Sequence, residues 1–124
     1  MRDIKFRAWS KKDKLMMPWS TIRQSAFNNS KGGSGLLYQI LVTRREDFDL
    51  MQYTGLKDKE GKEIYEGDIV QTEHSATGIC VWDNLNAKFT FDCSEPMWTH
   101  PIHLMSGEKE VIGNIHDNSE LLEQ

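Results

Sequence analysis

Five carboxylates fall between residues 58 and 68 of this chain: Asp58, Glu60, Glu63, Glu66 and Asp68, set within YTGLKDKEGKEIYEGDIV (53–70). Carboxylates at such density have two chemistries open to them, cation binding and paired acid–base work. A calcium loop needs side-chain oxygens at its positions 1, 3 and 5, a glycine at 6 and a glutamate at 12. Here Gly61 falls fourth when Asp58 is counted first, so that pattern fails. Acid–base work needs a pocket that shifts the two carboxyl groups apart, and nothing in the stretch supplies one. A solvated, charged turn is the simpler reading.

The other reactive side chains are sparser. His100 and His103 stand in THPIH with Pro101 between them. Proline favours an extended path, on which positions three apart point to opposite faces. His74, Cys80 and Cys93 lack the paired spacing of a zinc site. Each cysteine sits among apolar neighbours and reads as a small core hydrophobe. GGSG (32–35) neither follows a strand nor precedes Lys-Ser/Thr, so it is a connector and no phosphate loop. No metal, cofactor or catalytic residue is therefore expected.

The pattern with most functional content is basic. Lys5, Arg7 and Trp9 alternate along one strand face, followed by Lys11, Lys12 and Lys14. Cations beside an exposed indole can follow a phosphate backbone and stack a base. The same strip would serve equally as a surface for a protein partner. An overall pI near 5.5 counts against avid nucleic-acid binding. Residues 1–50 hold ten Lys/Arg and five Asp/Glu, a net +5, while residues 51–124 hold five and fourteen, a net −9. Such imbalance marks an interaction surface or two halves that attract each other.

The elements that must position these residues are short. IKFRAW (4–9) alternates, with Ile4, Phe6 and Ala8 toward a core and Lys5, Arg7 and Trp9 outward. LMMPW (15–19) reads as the returning strand, at an edge because of Pro18. Residues 20–35 carry a loop composition, most flexible at about 28–35. LLYQILV (36–42) is a short buried element, with strand favoured by its length, and RREDFDL (44–50) is a helical turn or loop. MQYTGL leads into a hairpin begun by Asp58, with positive φ expected at Gly61 and again at Gly67 in EGD. Gly55 and Gly113 read as further structural turns. IVQTEH (69–74) is a strand, GICVW (78–82) and KFTFDC (88–93) form a hairpin, EVIGNI (110–115) is a last strand, and Asn118 or Ser119 caps a short C-terminal helix.

Strands at this spacing, with one short C-terminal helix and little other helix, predict a mostly β single domain over 1–124. A small barrel, SH3-like in its EGDIV…GICVW order, and paired antiparallel sheets both fit. The longest nearly apolar run, Leu36–Val42, is far short of the roughly 18 residues that span a membrane. Arg2, Asp3, Lys5 and Arg7 interrupt any signal peptide, so a cytoplasmic protein with reduced cysteines is expected.

Three blocks in order, IKFRAW, MQYTGLKDKEGKEIYEGDIV (51–70) and VIGNIHDNSELL (111–122), resemble the YopX family of phage and prophage proteins. Ser10 replaces the family's more usual Asp after the Trp, and His116-Asp117 its more usual Tyr-Glu. The resemblance implies a β-rich domain encoded by phages and their bacterial hosts. It carries over no activity and no catalytic residue. The expected role is a non-enzymatic module that binds a protein partner or its own copies, with a nucleic-acid-associated small barrel as the alternative.

Overall fold

The structure, a computed structural model, describes residues 3–27, 35–72, 77–92 and 109–122. Eight strands form two four-stranded antiparallel sheets: β1 (Phe6–Ser10), β2 (Leu15–Met17), β3 (Phe48–Lys57) and β4 (Glu63–Tyr65) in the order β2-β1-β3-β4, and β5 (Asp68–Thr72), β6 (Thr77–Asp83), β7 (Lys88–Asp92) and β8 (Lys109–Asn114) in the order β7-β6-β5-β8. The second sheet curls into a half-barrel. The mostly β expectation holds, and the two glycine turns open as expected, with φ +83° at Gly61 and +84° at Gly67.

The chain divides into two compact units, residues 3–52 and residues 53–124 with Met1 and Arg2. The charge imbalance follows that division: residues 3–52 carry net +4 and residues 53–124 net −9. β3 runs through the boundary, its first half pairing with β1 and its second with β4.

In the first unit, Ala8 faces Leu50 and Met17 across the ladder, so these residues share a face. That face packs against α1 (Trp19–Phe27) and the helical segment after it, through a core of Ala8, Ile22 and Ile40 bordered by Met17, Trp19, Leu36, Leu37, Phe48 and Leu50. Three expectations are corrected here. Residues 20–27 are helix: Trp19 and Ile22 lie one turn apart and bury together, and the Pro18 carbonyl accepts from the N–H of Thr21 and Ile22 at 3.1 and 3.2 Å. Their Ser/Thr/Gln content hid that period, because packing overrides a weak propensity. Residues 36–42 are helical rather than strand. α2 (Leu36–Tyr38) continues as a π-helical turn, Gln39–Thr43, closed by the Arg44 N–H on the Gln39 carbonyl at 2.8 Å. A short apolar run cannot be told apart by periodicity alone. Ile4 is 58% exposed rather than a core residue, since the β1 ladder begins only at Phe6. Residues 45–47 form a 3-10 turn.

In the second unit, Val70, Cys80, Phe91 and Val111 line the inner face of the curled sheet, with Ile64 of β4 packed onto them. The β5–β8 register steps from Ile69 opposite Gly113 to Val70 opposite Val111, so Ile112 is the extra residue of a bulge. Gly113 accordingly lies in a strand and not in a turn. It is small for a reason of space: a Cβ there would stand 2.5 Å from the Asn118 side-chain oxygen. Gly55, at φ +89°, marks the irregularity where β3 slips against β4. A 3-10 turn, Ser119–Leu122, ends the described chain.

Candidate functional site

Of the five carboxylates in 58–68, Asp58 and Asp68 are consumed by the fold, whereas Glu60 is exposed and Glu63 and Glu66 are half-buried. Asp58 is buried, and its carboxylate accepts three backbone N–H groups: Glu60 at 2.9 Å and Lys62 at 2.8 Å within the hairpin, and Val111 of β8 at 3.0 Å. Burial pushes this carboxyl group up, but the three donors, with Lys62 nearby, outweigh it and hold the pKa below its ordinary 3.8. The Lys59 N–H donates to the Lys109 carbonyl at 3.0 Å, and its ammonium lies 3.8 Å from Glu110. Asp68 is buried as well and accepts the Tyr65 N–H at 2.8 Å. The segment is a clasp between the β3–β4 hairpin and β8, with no pair of carboxylates left for chemistry at Asp58 and Asp68.

The basic strip divides. Lys5, Arg7 and Trp9 are half-buried, and Arg7 and Trp9 share a strand face with Met51, Asp49 and Met16. Lys11, Lys12 and Lys14 are exposed on the β1–β2 turn. That turn is shaped by Ser10, whose hydroxyl donates to Asp13 at 3.3 Å while the Lys14 N–H donates to the Ser10 carbonyl at 2.8 Å. Lys11 lies 3.6 Å from Asp49, and its N–H donates to the Asp47 carbonyl at 2.9 Å. The fold thereby joins the lysine turn to Asp47 and Asp49, in the stretch that also carries Arg44, Arg45 and Glu46.

Lys109 and Cys80 meet on the inner face of the curled sheet; Cys80 was expected as a small core hydrophobe, and Lys109 was not singled out. The buried Lys109 ammonium stands 5.3 Å from the centre of the Phe91 ring. Burial lowers its pKa, and the neighbouring Cys80 sulfur partly restores it. Cys80 is buried and forms no disulfide. Among the described residues, no group of three or more His, Cys, Asp and Glu is placed to hold a metal ion. His74, Cys93, His100 and His103, and all but Gly35 of the flexible stretch expected at about 28–35, lie outside the described residues.

Sequence reasoning also missed the end of the β6–β7 hairpin. Trp82 faces Phe89 across the ladder, with the rings edge to face at 4.9 Å. Phe89 packs onto the core, whereas Trp82 is 43% exposed. Leu85 at the tip is 91% exposed, and yet its backbone is held. The Asp83 carboxylate accepts the N–H of Leu85 at 3.0 Å, the N–H of Asn86 at 3.3 Å and the Asn86 side-chain amide at 2.8 Å. That amide, with the two backbone N–H groups, lowers the Asp83 pKa. Phe91 in the core, Phe89 and Trp82 thus share one face of the hairpin, and Leu85 stands solvated at its tip. The alternation in GICVW and KFTFD was legible, but which face emerges from the core was not.

A family model described as YopX protein matches residues 5–123. The fold is similar to the crystal structure of protein EF1440 from Enterococcus faecalis, at 25% identity and a TM-score of 0.64, over 98% of this chain and 99% of that one. No curated protein matches the chain. No helix among the described residues is long and apolar enough to cross a membrane.

Proposed function

The chain belongs to the YopX protein family, and from that premise we propose that it is a phage- or prophage-encoded, cytoplasmic, non-enzymatic module that binds another protein through the end of its β6–β7 hairpin. One observation carries this reading: Leu85 is an apolar side chain left in water on a turn whose backbone Asp83 holds, at the end of the hairpin that also exposes part of Trp82. An anchor on a backbone that is already held lowers the ordering cost of association. Large aromatic and aliphatic anchors also dominate interface energetics when a partner pocket desolvates them. The burial of Asp58 and Asp68 as backbone acceptors agrees with a non-enzymatic role, because it removes those carboxylates from solution chemistry.

The test is capture from a nuclease-treated lysate of phage-infected bacteria, with bound proteins identified by mass spectrometry. A protein retained by the wild type and lost by Trp82→Ser/Leu85→Ser, with both melting alike, is the expected result. Retention that disappears with nuclease, or that ignores the double substitution, overturns it.

A second reading has one observation in its favour. The bond from the Lys11 N–H to the Asp47 carbonyl ties the exposed Lys11, Lys12 and Lys14 turn to the stretch that carries Arg44 and Arg45. A nucleic acid following those cations would show steeply salt-dependent binding. Asp47, Asp49 and Glu46 stand in the same place and oppose phosphate. A gel shift at sub-micromolar protein (about 0.5 μM or less) in 0.15 M salt, well below non-specific affinities and abolished by Lys11→Glu/Lys12→Glu/Lys14→Glu, would put this reading first.

A further inference from the structure

We propose that Cys80 and Lys109 form a modification site, an interior thiol–amine pair that hydrogen peroxide joins by a sulfur–nitrogen bond between β6 and β8. The pair lies inside the curled sheet and not at the hairpin end described above, so neither reading rests on the other.

The Phe91 ring brings the two groups together. Cys80 of β6 stands opposite Phe91 of β7 in the ladder, and both belong to the core of the second unit. Residues directly opposite in an antiparallel pair have Cβ atoms about 4.5–5.5 Å apart. The Lys109 ammonium stands over that same ring, 5.3 Å from its centre. β7 and β8 are the two ends of the order β7-β6-β5-β8, so the Lys109 side chain joins one edge strand of the curled sheet to the other. Sulfur and nitrogen therefore border one aromatic ring, with Cys80 1% and Lys109 7% exposed.

Burial gives this pair its chemistry. A charge in an apolar interior is costly unless an opposite charge faces it. Burial lowers the Lys109 pKa, which favours the free amine, while the neighbouring Cys80 sulfur raises it. An ammonium beside a thiol in turn favours the thiolate, the reactive form. One proton shared by the pair leaves either an ammonium facing a thiolate or an amine facing a thiol.

Both nucleophiles are used in turn. The Cys80 thiolate attacks one peroxide oxygen; the sulfur–oxygen bond forms, the oxygen–oxygen bond breaks, and the departing hydroxide takes a proton from the Lys109 ammonium to become water. The sulfur is oxidised by two electrons and the peroxide is reduced by the same two. The amine so released attacks the sulfenic sulfur. The sulfur–nitrogen bond forms, the sulfur–oxygen bond breaks, and the hydroxyl leaves with an amine proton as a second water. Condensation with a nearby thiol or nitrogen is an ordinary fate of a sulfenic acid. Peroxide is close to water in size, and Lys109 is the first residue of an edge strand, so fraying of one strand end admits it. The product ties β8 to β6 across the intervening β5.

The test is hydrogen peroxide on the whole reduced chain, followed by tryptic mapping in a mass spectrometer without reductant. Trypsin cuts after Lys88 and Lys109, and residues 63–88 hold Cys80 without another lysine or arginine before Lys88. The expected product joins residues 63–88 to residues 89–124, uncut after Lys109 and lighter by two hydrogen atoms than the separate peptides. Dithiothreitol should dissolve it, because a thiolate attacks the sulfur and releases the amine. The bridged chain should melt at a higher temperature than the same chain after dithiothreitol, since a cross-link restricts the unfolded state. Lys109→Arg keeps a cation at the ring but no free amine. It should lose the bridge and leave a sulfenic acid that dimedone captures. Lys59→Arg, at an exposed lysine, should bridge like wild type. If Lys109→Arg fails to fold, the wild-type map decides alone. A Cys80–Cys93 disulfide in place of the bridge, with cleavage after Lys109 intact, would overturn the proposal. So would a bridge to another lysine, oxidation of Cys80 to sulfinic or sulfonic acid with Lys109 unmodified, or a Cys80 that millimolar peroxide leaves untouched.

Discussion

Asp58 and Lys11 each stand at a tight turn between antiparallel strands, yet the side chain of Asp58 is bound into the fold whereas the lysine side chains of the other turn stay in water. The Asp58 carboxylate reaches fifty-three residues along the chain to the Val111 N–H. Lys11 on the other turn ties its backbone N–H to the Asp47 carbonyl, but its ammonium meets Asp49 at 3.6 Å with both side chains about half exposed. A run of charge in a sequence therefore says little about use. What matters is whether tertiary contacts take its groups out of water, because a desolvated carboxylate must collect donors whereas a solvated ammonium need not.

The sharpest way to break this comparison is Asp58→Ala. It strands the N–H groups of Glu60, Lys62 and Val111, and buried donors without acceptors cost about 1–3 kcal/mol each. A loss on the order of 3 kcal/mol is expected in urea unfolding, some of it recovered by water at the turn. A loss below about 1 kcal/mol would remove the clasp from the account.

Gly113→Ala comes next, at about 2 kcal/mol, because its Cβ must displace Asn118. Asn118 accepts the Asn114 N–H at 3.2 Å, so that bond is lost too. The penalty should shrink in an Asn118→Gly background; equal penalties in both backgrounds would point to another cause.

Gly61→Val should cost about 1–2 kcal/mol through strain alone, since no atom lies within 4 Å of its Cβ position. Gly61→Asn, which tolerates positive φ, should cost visibly less in the same thermal melts.

Acid sharpens the comparison further. The folded pKa of Asp58 lies below its unfolded 3.8. Its contribution is fully present above pH 3.8 and disappears as pH falls through the lower folded value. Asp58→Asn should flatten the pH dependence of stability in that window, and an unchanged slope would contradict the cause assigned to the shift.

The smallest effect is expected from Lys11→Glu/Lys12→Glu/Lys14→Glu, within about 0.5 kcal/mol of wild type. A larger loss would show that the basic turn is structural after all.

Much of the second unit was legible because local chemistry and tertiary need coincide there. Gly61 and Gly67 announce positive φ whatever surrounds them, and GICVW…KFTFD alternates so regularly that its register, Cys80 opposite Phe91, is nearly forced by the turn between. The first unit was harder. Trp19 and Ile22 look like parts of a polar loop until Ala8 and Ile40 are placed against them. LLYQILV satisfies helix and strand equally, and only packing against the face of Ala8 and Leu50 selects the helix.

The candidate surfaces were the least visible, for one physical reason. Composition shows that Trp82, Leu85 and Phe89 are apolar, and spacing shows which of them share a face. Neither shows whether another element covers that face. The sequence by itself determined the turn glycines, the alternating strands, the family blocks and the charge of each half, because these depend on one residue or its near neighbours. Only the tertiary structure decided that Asp58 is a clasp, that Gly113 makes room for Asn118 and that Leu85 stands 91% exposed. Each of those outcomes depends on what remains of water around a side chain once residues far along the chain have packed, and burial is a property of the whole fold.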